Sequence, residues 1–71
     1  MNIRRCKMRS GLSYYVYAVE HQVQLGESIW HVFVGRANRK PKWCNLLHTM
    51  NGKAYFWFDG IKFYLSDFNP I

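Results

Sequence analysis

Clustered cations are the feature of this 71-residue sequence with the clearest chemistry. Such clusters bind phosphate groups with release of counterions, and arginine adds bidentate contacts. With a formal net charge of +6, the chain is expected to meet an anionic partner, unless the cations only maintain solubility. Eight of the ten lysines and arginines fall in two short blocks without an acid: Arg4, Arg5, Lys7 and Arg9, and then Arg36, Arg39, Lys40 and Lys42.

A second pattern lies in residues 54–65, where two apolar runs flank Asp59-Gly60. An Asp-Gly pair between such runs is typical of a two-residue type I′ hairpin turn. Because side chains alternate along strands, one face of the hairpin is apolar and predicts a core. That face carries Ala54, Phe56, Phe58, Ile61, Phe63 and Leu65, and the opposite face carries Tyr55, Trp57, Lys62 and Tyr64.

The Tyr55, Trp57, Lys62 and Tyr64 face allows three interpretations. It can stack unpaired nucleic-acid bases, anchor a protein partner, or be covered by another hairpin as a second core. In the type I′ register Lys62 lies opposite Trp57, and burying the indole would draw this charge toward the interior. We therefore expect Trp57 to be exposed or half-exposed.

Catalytic and metal-binding patterns are weak by comparison. Cys44 and His48 are spaced i, i+4, but no Cys-x2-Cys pair accompanies them, so no metal site is predicted. The glycines fall singly and the four acids are scattered, so no phosphate loop or paired carboxylate site is expected. A ribonuclease-like use of His21, His31 or His48 with the cations is the weakest alternative. The protein is predicted to be non-enzymatic and without a cofactor.

Length and composition indicate a single domain over residues 1–71, rich in aromatic side chains at 18%. No apolar run approaches the roughly 20 residues that span a bilayer, and the first residues lack an apolar signal segment. A soluble cytoplasmic protein that does not contact membranes is therefore expected. Cys6 and Cys44 are expected to be reduced thiols, with a single Cys6–Cys44 bridge as the alternative.

Local patterns predict the elements that position these groups. Residues 1–11 are interpreted as a basic arm or short edge strand. Residues 12–25 and 28–34 are predicted strands joined by a type II′ turn at Gly26-Glu27. In that register a predicted core face carries Val19, His21, Val23, Leu25, Trp30, Val32 and Val34, and the opposite face carries Glu20, Gln22, Gln24, Ile29, His31 and Phe33.

Residues 35–42 form a predicted basic loop, and residues 42–50 a short helix. Pro41 suits the first helical turn, Asn38 is a candidate cap, and Asn51-Gly52 suits the helix end. An apolar stripe at helical spacing supports the helix: Trp43, Leu46, Leu47 and Met50. Together these elements predict an α+β fold, a small ββαββ domain whose antiparallel sheet of two hairpins has one short helix packed on one face.

These patterns favour a small basic non-enzymatic nucleic-acid-binding protein, with DNA or RNA as the partner. The N-terminal arm and the loop would contact phosphates, and the aromatic sheet face would contact bases. The alternative is a phage- or plasmid-type inhibitor or modulator that binds a host protein through the same aromatic and basic surface.

Overall fold

Seven antiparallel strands form one curled sheet, a half-barrel. The computed structural model describes residues 2–11 and 13–71. Met1 and Leu12, predicted in the basic arm and at the start of a strand, lie outside the described residues. The strands are β1 (Asn2–Arg9), β2 (Tyr14–Gln24), β3 (Glu27–Arg36), β4 (Lys42–His48), β5 (Ala54–Phe58), β6 (Ile61–Tyr64) and β7 (Asn69–Pro70). Their spatial order is β6-β5-β4-β3-β2-β1-β7.

The predicted ββαββ fold is wrong, because residues 42–48 form β4 rather than a helix. β4 pairs with β3 from Trp30↔Leu46 to Val34↔Lys42. A segment this short gains little from a helix in isolation, whereas pairing joins it to a neighbouring strand along its length. Within the described residues the only helical segment is a 3-10 turn at Leu65–Asp67, and no helix has the length and apolar character to cross a membrane.

The residues of the predicted apolar stripe and the predicted helix cap have other positions in the structure. Leu46 points to the core, whereas Trp43 and Leu47 lie on the other face and are substantially exposed. Met50 lies beyond the strand and is fully exposed. Asn38 caps no helix and instead adopts a φ of 68° in the loop before β4.

The hairpin of β5 and β6 has the predicted turn and register, but Ile61 of its predicted core face is exposed. Asp59 and Gly60 have φ values of 54° and 72°, the positive values that a type I′ turn requires at both central residues. The register pairs Phe56 with Phe63 and Trp57 with Lys62. Phe56, Phe58 and Phe63 are buried, and Trp57 is 55% exposed as expected.

The hairpin of β2 and β3 has the predicted faces but a different turn. Leu25 and Gly26 occupy its central positions, with φ values of 52° and 80°, so the predicted turn at Gly26-Glu27 is wrong by one residue. Moving a two-residue turn by one position shifts the register by two residues. Because side chains alternate with a period of two, this shift leaves the faces of the paired residues unchanged. His21, for example, still shares a face with Trp30, its partner across the strands. The predicted core positions of Val23 and Leu25 are wrong, because Leu25 lies in the turn and both side chains are exposed.

The buried cluster lies on one side of the sheet, which we call the inner face. Its members come from most strands and from the chain after β6: Tyr14, Val16, Val32, Val34, Leu46, Phe56, Phe58, Phe63 and Phe68. The opposite side is the outer face. A bulge in β2 at residues 16–18 changes the alternation, so that Val16 and Val19 both face inward.

The predicted basic arm corresponds to β1, which pairs with β2 along most of its length. Only Met8 and Arg9 also pair with β7, so the first part of β1 has no second neighbour among the described strands. β7 is a two-residue edge strand that ends at Pro70, a residue that suits such an edge because it has no backbone N–H to donate.

We expect Phe63→Ala to lower the free energy of unfolding by about 3–5 kcal/mol, because the buried ring would leave a cavity in the aromatic cluster. Ile61→Ala is the matched control on the same hairpin face, since Ile61 is 43% exposed and should lose about 1 kcal/mol or less. Urea unfolding followed by circular dichroism measures both. Equal losses in the two variants would contradict this description of the core.

Candidate functional site on the outer face

The outer face carries a broad aromatic surface from β2 to β6. Register partners share a face, so the pairs Phe33↔Trp43 and Tyr55↔Tyr64 define its composition. Leu47↔Tyr55 links β4 to β5 on the same side. The full aromatic set is Tyr15, Tyr17, Phe33, Trp43, Tyr55, Trp57 and Tyr64, with His31 between its two halves.

Four rings form a continuous chain of contacts across β2, β3 and β4. The centroids of Tyr15 and Tyr17 lie 6.0 Å apart in a stacked arrangement, and Tyr17 meets Phe33 edge-on at 6.2 Å. Phe33 packs against Trp43 at 4.9 Å. Trp43 stands at the end of this chain with 44% of its surface exposed, so part of its indole is free for a ligand.

At Gly35 an aromatic ring of the outer face packs directly on the backbone. A Cβ atom at residue 35 would lie 2.8 Å from Cε2 of Tyr17 and 3.2 Å from Cβ of Pro41. The ring of Tyr17 and the ring of Pro41 thus cover a buried glycine. A glycine here allows the loop before β4 to pack closely on the aromatic chain.

A second aromatic group surrounds two lysines at the β5 and β6 end. Nζ of Lys62 lies 4.5 Å from the ring centroid of Tyr55 and 5.1 Å from that of Tyr64. Nζ of Lys53 lies 4.2 Å from the centroid of Tyr64. The ammonium groups cover faces of both tyrosines, so Trp57 is the open ring of this group.

The N-terminal cations are divided between the two faces of the sheet. Arg5 pairs with Ala18 and Arg9 with Tyr15, which places both arginines beside the outer-face aromatics. Arg4 pairs with Val19 and therefore faces inward. Lys7 lies in the bulged part of β1 and is exposed.

The second basic block meets an acid that the sequence did not associate with it. Nη1 of Arg36 lies 3.9 Å and Nη1 of Arg39 lies 3.7 Å from the carboxylate oxygens of Asp59 in the hairpin turn. No acid lies within this block in the sequence, but the fold brings Asp59 to two of its arginines. These long, exposed ion pairs stabilise the fold little, but they reduce the local positive potential.

Two cations of the same block, Arg36 and Lys42, lie over aromatic rings of the inner face. The guanidinium of Arg36 lies 5.4 Å from the ring centroid of Tyr14, and Nζ of Lys42 lies 5.3 Å from that of Phe58. Lys40 is exposed, and none of the ion pairs formed among the described residues involves it. The predicted loop over residues 35–42 is too long, because Arg36 ends β3 and Lys42 begins β4, and its four cations do not form one uniform patch.

Sequence reasoning missed the β2 to β4 half of the aromatic surface. The helical interpretation buries Trp43 in an apolar stripe, and the predicted faces include neither Tyr15 nor Tyr17. Alternation within residues 42–48 was the available signal, since Cys44 and Leu46 alternate with Trp43 and Leu47 along the segment.

The groups weighed for catalysis or metal binding are separated. Along an extended strand Cys44 and His48 lie about 13 Å apart, and within the described residues no three metal-ligating side chains gather. Both cysteines are free, and burial raises the pKa of the Cys6 and Cys44 thiols. Nδ1 of His31 lies 3.2 Å from Oε1 of Glu20 on the outer face.

No protein-family model, curated protein or solved structure matches this chain.

Replacing Gly35 by alanine should displace the ring of Tyr17 and destabilise the fold by about 1–3 kcal/mol, because the new methyl group would overlap Tyr17 and crowd Pro41. Gly11→Ala is the matched control, since a Cβ atom there has no neighbour within 4 Å. Thermal unfolding and the NMR shifts of the Tyr17 ring measure the effect. If the two variants were equally stable, with unchanged Tyr17 shifts, the proposed packing would be wrong.

Proposed function

We propose that the protein binds single-stranded nucleic acid on the outer face, with bases stacked on Trp43 and Trp57. The observation that carries this proposal is the presence of two exposed indoles on one sheet face, together with cations that form no ion pair among the described residues. Stacking of a base on an aromatic side chain contributes roughly 1–3 kcal/mol and tolerates any base, because every base has a π face.

Exposure of these rings is costly for so small a chain unless a partner covers them. A 71-residue domain has few large apolar groups to spare from its core. Trp43 and Trp57 nevertheless lie on the outer face, where Leu47 is also exposed. Contiguous apolar surface bordered by polar groups is characteristic of an interaction site.

The cations beside these rings suit a phosphate backbone. Tyr55 and Tyr64 hold Lys62 over their faces, and Tyr64 also holds Lys53. An ammonium restrained in this way loses less side-chain entropy when it meets a phosphate, and its N–H donors still reach solvent. Arg5 and Arg9 lie at the other side of the face, where Arg5 pairs with Ala18 and Arg9 pairs with Tyr15.

Stacking is tested with fluorescein-labelled oligo-dT and oligo-U, by anisotropy on the full chain. Trp57→Ala and Trp43→Ala should each weaken binding about tenfold and leave the fold intact, because both residues are about half exposed and lie outside the buried cluster. Leu47→Ala is the control, an exposed apolar residue of the same face that offers no ring. Unchanged affinity in both tryptophan variants would refute base stacking. The ratio of the affinities for oligo-dT and oligo-U shows whether the protein prefers DNA or RNA.

Phosphate contact is tested by the salt dependence of the same binding. The combined change of Arg5, Arg9, Lys53 and Lys62 to Ala should flatten the slope of log K against log salt by about 0.7 for each phosphate that the variant no longer neutralises. The combined change of Arg36, Arg39, Lys40 and Lys42 removes the same charge and should flatten it less. In that block Asp59 pairs with Arg36 and Arg39, and Arg36 and Lys42 lie over rings of the inner face, away from the proposed surface.

A protein partner is the competing outcome of these tests. If neither oligonucleotide binds at low salt, the nucleic-acid proposal is wrong. A protein retained from a lysate after nuclease treatment, and absent when Trp57→Ala is used as bait, would then favour a small modulator of a host protein.

A further inference from the structure

A cavity of about 520 Å³ opens on the inner face, on the opposite side of the sheet from the outer-face aromatics. Its size falls within the range of about 300–1,000 Å³ that small-molecule sites occupy. Apolar side chains form most of its walls: Cys6, Met8, Val19 and Leu65. These residues pack against the buried cluster without filling the space, so the cavity is a continuation of the core surface.

One charged group, Arg4, lines this cavity. Within the described part of the chain no carboxylate lies within 4 Å of its guanidinium. The ion pairs found there join Glu20 to His31 and Asp59 to Arg36 and Arg39. The positive charge of Arg4 acts on the neighbouring Cys6 thiol, where it opposes the rise in pKa that burial causes. The charge of Arg4 therefore acts on a group in the wall of the cavity.

A second polar group of the cavity lacks a partner. The ring of His21 stacks on the indole of Trp30, with centroids 4.0 Å apart and an interplanar angle of 13°. Nε2 of His21 is inaccessible to solvent and has no hydrogen-bond partner among the described residues. The stacked rings of His21 and Trp30 thus form a flat wall of the cavity, and the buried nitrogen of His21 is not a contact point for a ligand.

We infer that the inner-face cavity binds an alkyl carboxylate of medium chain length, such as decanoate. The chain lies along the apolar walls, and the carboxylate accepts hydrogen bonds from the Arg4 guanidinium. A single cation matches the charge of a monoanion, whereas a phosphate dianion would leave one charge without a partner. This site is independent of the proposed nucleic-acid surface.

The test is a titration of the full chain with decanoate, decanol and decyltrimethylammonium, each below the concentration at which it forms micelles. NMR shifts of the Trp30 indole N–H and the His21 ring report occupancy of this cavity. Arg4→Gln and its neighbour Arg5→Gln remove the same charge from opposite faces of β1, so Arg5→Gln is the matched control. Melting temperatures of both variants check that the fold is retained.

We expect decanoate to shift Trp30 and His21 and to bind about tenfold more weakly to Arg4→Gln, with no change in Arg5→Gln. Decanol should bind more weakly than decanoate and respond to neither variant. Failure of decanoate to shift Trp30 would overturn the site. Equal binding of the three ligands, or equal effects of the two variants, would overturn the assignment of a carboxylate. None of these results depends on binding of oligonucleotides.

Discussion

Contact between β2 and the hairpin of β5 and β6 across the inner face is the interaction on which the rest of the structure depends. Tyr14 of β2 meets Phe58 of β5 edge-on at 5.9 Å and Phe63 of β6 at 4.8 Å, although β3 and β4 separate these strands. The strands can meet only if the sheet curls around its inner face. Phe68 then closes the cluster against Phe56 at 5.7 Å. The sheet covers its own apolar side in this way, and no helix is needed to complete the core.

The same curl leaves the outer face without a cover. Phe33 and Trp43 support one another there, and the cations over Tyr55 and Tyr64 border the remaining rings. Each strand from β2 to β5 thus contributes large side chains to both faces of the sheet. Those on the inner face are buried, and those on the outer face remain at least partly exposed. A chain of this length cannot bury both sets, and the open set is what supports a binding function for this surface.

The inner face is filled unevenly for a related reason. The phenylalanines of β5 and β6 occupy one end, where the sheet folds onto itself. At the other end the first residues of β1 have no second neighbouring strand among those described, and Trp30 and His21 lie beside the open cavity. Among the side chains that the structure describes, none fills that space, and Arg4 and His21 have no ionic or hydrogen-bonded partner among them.

Short-range patterns determined the parts of this protein that depend on neighbouring residues. Asp59-Gly60 specified its turn and register, and alternation assigned the faces of Phe56, Trp57, His21 and Trp30, because turn geometry and the period of two act within a few residues. Tertiary structure decided the state of residues 42–48, since a short amphipathic segment becomes a strand when an adjacent edge offers it partners. It also decided which cations act together: Arg4 and Arg5 separate onto opposite faces, and Asp59 meets Arg36 and Arg39. Contacts between residues distant in the chain depend on how the sheet curls, and no local pattern encodes that curl.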